Sequence, residues 1–123
     1  MKRLLLILCF SGLTLFVHAQ QANVVKSCED ALVQACLSGD ATAIQAAAVE
    51  LAKTGFYGAD KLEYASNLLS SVEINGILFT GGKGDTYPVL LLQYLKNMRP
   101  DVRVVHTDWL LNADYFQRLQ ASV

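Results

Sequence analysis

Apolar positions follow helical spacing through the first half of the chain and gather into two short runs in the second. Over residues 25–37, Val25, Cys28, Leu32, Val33, Cys36 and Leu37 recur at helical intervals. Ser38-Gly39-Asp40 predicts a break, with Gly39 as a left-handed C-cap and Asp40 as the cap of the next helix. That second helix spans about 41–53, with Ile44, Ala47, Ala48 and Leu51 on its inner face, and Thr54-Gly55 ends it. A third helix is predicted over about 60–71, with Leu62, Ala65, Leu68 and Leu69 facing inward. The pattern then changes. Residues 74–80 form a nearly continuous apolar run with branched and aromatic members, which suits a strand covered on both faces. A fourth helix over about 86–97 has Asp85 or Thr86 as cap and Pro88 in the first turn, with Val89, Leu91, Leu92, Leu95 and Met98 on an apolar face. Residues 102–106 read as a second strand, and about 113–119 as a last helix.

Two buried strands joined by a helix imply a parallel β-α-β unit with a right-handed crossover. The expected fold class is therefore α/β: an N-terminal helical hairpin plus a third helix (25–71), then a small parallel β-α-β-α unit (72–123). The short link between the first two helices makes them antiparallel. No second copy of the pair occurs, so a helical solenoid is not indicated.

The N-terminus changes the picture of compartment. Lys2 and Arg3 precede an apolar run over 4–16, and Val17-His18-Ala19 fits a small-x-small cleavage site. Residues 1–19 thus read as a signal peptide, 20–24 as a loose leader, and 20–123 as a single domain of 104 residues. The run is short for a span of roughly 20 apolar residues, so no membrane span is expected in the mature chain, and a retained anchor is the alternative. Export to a bacterial periplasm or exterior follows. Loss of Lys2 and Arg3 shifts the net charge from −1 to −3. No basic stripe interleaved with aromatics remains, which argues against nucleic-acid binding. Cys28 and Cys36 are the mature cysteines. Eight residues of helix rise about 12 Å, too far for an internal disulfide. They read as small core residues, with an intermolecular bridge as the alternative.

Candidate chemistry concentrates in two loops at the carboxyl ends of the strands, where parallel α/β units bind ligands. One loop is Gly81, Gly82, Lys83, Gly84, Asp85 and Thr86; the other contains His106 and Asp108. Lys83 and the helix N-terminus suit an anion or polar ligand. The competing interpretation is a tight turn, a capped helix and a solvated lysine. His106 has two readings as well, a proton shuttle with Asp108 or Asp85, or a strand-end histidine bonded to backbone. Neither phosphate-loop pattern nor a nucleophile elbow occurs. No catalytic residue, cofactor or metal is expected. Trp109, Tyr115 and Phe116, and separately Phe56 and Tyr57, are candidate contact residues or core aromatics.

The second half also carries a long motif: Gly76 to Thr80, Gly82, Asp85, Thr86, Tyr87, Pro88, Leu91, Gln93, Arg99, and Asp101 to Val105. With these residues the stretch 63–119 resembles the soluble segment of bacterial multi-spanning membrane proteins of the protein O-mannosyltransferase-like class. Their pattern runs close to A-I-L-F-T-x-G-D-N-D-T-[YF]-P-L-x-Y-L-Q and then R-x-D-V-R-V-V-N. The resemblance implies a shared module. It does not imply glycosyl transfer, which in that class would belong to the multi-spanning portion. Gly82-Lys83-Gly84-Asp85 replaces the acidic G-D-N-D, and His106 stands in place of the asparagine.

Taken together, the sequence points to an exported envelope protein that binds or docks without catalysis. A two-stranded sheet has two edges, and bare edges recruit other chains. A homodimer or an envelope protein partner is therefore expected. The alternative is a small enzyme or polar-ligand binder at the glycine-rich loop.

Overall fold

The computed structural model describes residues 2–122, with side chains from Thr14 onward. The elements in order are α1 (Lys2–Ser38), α2 (Ala41–Lys53), α3 (Ala59–Ser71), β1 (Ile77–Thr80), α4 (Lys83–Lys96), β2 (Arg103–His106), a 3₁₀ turn (Thr107–Leu111) and α5 (Ala113–Ala121). The strands pair in parallel, with Ile77 opposite Arg103 and Thr80 opposite His106. The small α/β arrangement expected from the sequence is the one observed.

Several boundaries differ from expectation for local reasons. Residues 20–24 are not a loose leader but part of α1, because no proline or glycine interrupts 14–38. The break comes at Gly39, whose φ of +75° ends the helix, and Asp40 accepts from the Thr42 and Ala43 N–H groups to start α2. The first strand is shorter than predicted. Asn75 takes a left-handed φ of 59° and the Gly76 N–H closes a turn onto the Glu73 carbonyl, so Ile74 falls outside the strand. That strand is not covered on both faces: Ile77 and Phe79 are 42 % and 60 % exposed. Helix α4 begins at Lys83 rather than Thr86, capped by the Gly82 backbone without a side chain. Pro88 therefore lies in the second turn, where its missing N–H leaves the Gly84 carbonyl without the usual helical donor.

Helix α4 is the centre of the molecule. Thr86 through Leu92 are all buried, so the helix is apolar around its circumference rather than on one stripe, and Leu95 is exposed. Tyr87, Leu90 and Leu91 join Val25, Leu32, Cys36, Ile44, Ala48, Leu51 and Tyr57 in a core against α1 and α2. Val89 and Leu92 join Ala65, Leu69 and Val102 in a second core toward α3 and the sheet. Burying a leucine or valine side chain is worth about 1.5–3 kcal/mol. Each face of α4 thus contributes several such increments.

The second core is pinned by one arginine. Arg99, itself at a left-handed φ of 46°, makes a two-pronged contact with Asp101 at 2.9 and 2.8 Å. It also donates to the Leu69, Val72 and Glu73 carbonyls at the end of α3. Asp101 in turn accepts from the Asn75 N–H at 3.1 Å. The Gln93 amide, on α4, donates to the Arg99 and Val102 carbonyls. Backbone groups at and beyond the ends of α3 and α4, which would otherwise be unsatisfied, are closed here by side chains.

Candidate functional site

The glycine-rich loop turns from β1 into α4. Two buried hydroxyls line this turn: Thr86 Oγ1 lies 2.7 Å from Thr80 Oγ1 and 2.8 Å from the Gly82 carbonyl. Thr80 and Thr86 are 3 % and 0 % exposed, so both hydroxyls serve the interior. Asp85, half-buried in the first helical turn, is not the cap that the sequence suggested, since α4 already starts two residues earlier. Gly81 and Gly84 are exposed, and Gly82 is half-buried.

Lys83 leaves the loop toward α1. Its Nζ donates to Glu29 Oε2 at 2.8 Å, and the Tyr57 hydroxyl donates to Glu29 Oε1 at 2.6 Å. Glu29 is buried at 5 % exposure, while the lysine side chain is 61 % exposed. The hydrogen bond from Lys83 to Glu29, with the carboxylate's charge, raises the lysine pKa. Burial, helped by the bond to Glu29, pushes the Tyr57 phenol well above its ordinary range. Tyr57 meets Phe56 and Tyr87 edge-on, with centroids 5.1 and 6.2 Å apart. The Lys61 ammonium stands over Phe56 and Tyr57, 4.3 and 5.1 Å from their centroids. Lys26, Glu29, Phe56, Tyr57, Lys61 and Lys83 surround a recess of about 390 Å³.

His106 takes a different direction. It is buried, its Nδ1 accepts from the Asp108 N–H at 3.2 Å, and its ring stacks on Trp109 with centroids 5.0 Å apart. This is the backbone-bonded strand-end histidine foreseen as one of two readings. Asp108 is exposed in the first turn of the 3₁₀ segment. Trp109 is buried against His106 and Tyr115, whereas Phe116 is 42 % exposed. The recess holding Lys83 and Gly84 is lined by neither His106 nor Asp108, nor is a second recess of about 540 Å³ between α2, α4 and β2. Among the described residues, no group of three or more histidine, cysteine or acidic side chains is placed to hold a metal ion.

A family model described as TMEM260-associated domain 2 matches residues 61–123. The chain belongs to this family. It is a domain associated with a membrane protein. No curated protein and no solved structure matches the chain. The matched family region runs from α3 through α5, so α1, α2 and the residues Glu29 and Tyr57 lie outside it. Among the described residues, no helix is long and apolar enough to cross a membrane.

Several residues of the second-half motif have structural roles. Thr80, Thr86, Tyr87, Pro88, Gln93, Arg99 and Asp101 are the residues that close turns and fill cores in the family region. Hydrogen bonds from Arg99 and the Asn75 N–H hold the Asp101 carboxyl well below the usual carboxylate range. Sequence reasoning passed over Glu29 and Lys61. A signal for Glu29 was present: it lies on the same helical face as Val25, Leu32 and Cys36, so a carboxylate there had to be partnered. Lys61 had none, because its contact depends on a turn geometry at Phe56 that no spacing encodes.

Proposed function

We propose that the chain is an exported cell-envelope protein that docks through β1 and performs no catalysis. One observation carries this: β1 has no second neighbour, and its outer face has no cover. It pairs only with β2 among the described residues, and Ile77 and Phe79 project outward at 42 % and 60 % exposure. The strand Ile77–Thr80 contains no charge and no proline, the devices that protect exposed edges. The occupant that suits it is a second copy of the chain. Antiparallel pairing centred on Leu78 sets Ile77 of one copy beside Phe79 of the other, so the strand is its own complement and a two-stranded sheet becomes four-stranded.

Export is supported by Lys2, Arg3, the apolar run and the Val17-His18-Ala19 site. A periplasmic or secreted location is part of the same reading. Descent of the C-terminal module from the soluble segment of O-mannosyltransferase-like membrane proteins is supported by the motif over 76–88 and 99–105. Catalysis at the glycine-rich loop has weaker support, because Thr86, Lys83 and His106 are already engaged within the fold.

Sedimentation velocity of the mature protein from about 10 μM to about 1 mM tests the docking reading. Dimers that are lost in Phe79→Lys, with unchanged far-UV circular dichroism, support it. A wild type that stays monomeric throughout, or a dimer indifferent to Phe79→Lys, overturns it.

A further inference from the structure

The recess between α1, the α2–α3 turn and the start of α4 has an unusual lining. Three lysines, Lys26, Lys61 and Lys83, line it together with one carboxylate, Glu29. Lys26 is held by Asp30 at 2.6 Å and Lys83 by Glu29 at 2.8 Å. Lys61 has no carboxylate partner among the described residues, and its charge is met only by the faces of Phe56 and Tyr57. A cation over an aromatic face gains about 0.5–1 kcal/mol at exposed sites, which leaves its capacity for an anion open.

The rest of the lining is apolar: Ala22, Val25 and the two rings. At the other wall, Gly84 presents bare backbone, with nothing within 4 Å of the position a Cβ would take. No side chain caps the first turn of α4 there. The recess thus combines a positive excess with an aromatic floor and a wall of open main chain.

We propose that this recess binds a small organic anion, an acid group on an aromatic or apolar body, with the acid between Lys61 and Lys83 and the body against the exposed Phe56. The site is separate from β1, so its fate is independent of the docking reading. It joins residues of α1 and the α2–α3 turn to the first turn of the family region, and it exists only where both are present.

Benzoate and phenyl phosphate, titrated into the full-length protein labelled with ¹⁵N up to about 10 mM, test the site. Both probes are expected to shift the Gly84, Tyr57 and Lys61 amides saturably. Acetate, which lacks the body, and benzyl alcohol, which lacks the charge, bind about tenfold more weakly or worse. Lys61→Gln, an exposed position that leaves the fold intact, weakens benzoate by about tenfold. Lys96→Gln, on an exposed lysine remote from the recess, leaves it unchanged. The proposal is overturned by the absence of saturation with both probes. It is equally overturned by acetate binding as well as benzoate, or by Lys61→Gln binding as well as wild type.

Discussion

Tyr57→Phe removes one oxygen from the molecule and nothing else, which makes it the sharpest probe of how the N-terminal helices hold the family region. The phenol donates at 2.6 Å to a carboxylate that is itself buried. A hydrogen bond to a charged group is worth about 1.5–3 kcal/mol, and the ring's contacts with Phe56 and Tyr87 survive the change. The second donor to Glu29, Lys83, has a side chain 61 % exposed, so solvent screening limits its worth to about 0–1 kcal/mol. Tyr57→Phe is therefore expected to cost about 2 kcal/mol, a fall in Tm of roughly 5–10 °C. Lys83→Met should cost less than half of that. Because both donors serve one carboxylate, their effects are coupled. In the Lys83→Met background Glu29 has only the tyrosine left, and Tyr57→Phe should cost at least about 0.5 kcal/mol more. Urea midpoints for the four proteins of the cycle measure all three quantities. A larger loss from Lys83→Met than from Tyr57→Phe, or strict additivity, would refute the reasoning.

Three further outcomes are expected. Asp101 has a depressed folded pKa, so its contribution is full above about 3.8 and is lost as pH falls below it; acid titration of stability should show this loss, and Asp101→Asn should flatten it. Burial pushes the Cys36 thiol up to about 12 from 9.0, so the unfolded chain ionises first and stability falls as pH rises above about 9; Cys36→Ala should reduce that slope, and Cys28 should react with a thiol reagent faster than Cys36 in the folded protein. Gly39 and Gly55 both hold left-handed φ, +75° and +67°. Alanine at either should cost about 1 kcal/mol, and the two costs should be similar, because the new Cβ at Gly39 meets only the flexible end of Arg118, as thermal melts of the two variants will compare.

Where local chemistry decides conformation, the sequence was legible. Gly39 and Asp40 marked one helix end and the next helix start because a left-handed stop and an oxygen cap act over three residues. The parallel pairing of β1 and β2 followed from a helix-length connection between two apolar runs. The start of α4 was misplaced because the glycines Gly81, Gly82 and Gly84 are poor helix formers, and the turn is stabilised instead by Thr86 bonding back to Gly82 and across to Thr80. The exposure of Ile77 and Phe79 was invisible because an apolar strand reads the same whether one face or both are covered. In the candidate site, Lys83 was found, but its partner Glu29 lies 54 positions away in the chain. Contacts of that range depend on how the α1–α2 hairpin lands on α4, which no local pattern specifies.

That landing has a consequence for the matched region of this chain. Tyr87, Leu90 and Leu91 belong to the matched region, yet much of what shields them from water, on α1 and α2, does not. The region is a socket whose lid is supplied from elsewhere in the polypeptide. Cut away from α1 and α2, residues 61–123 of this chain would leave part of those three side chains facing water, and an apolar plug from another source would have to close the opening.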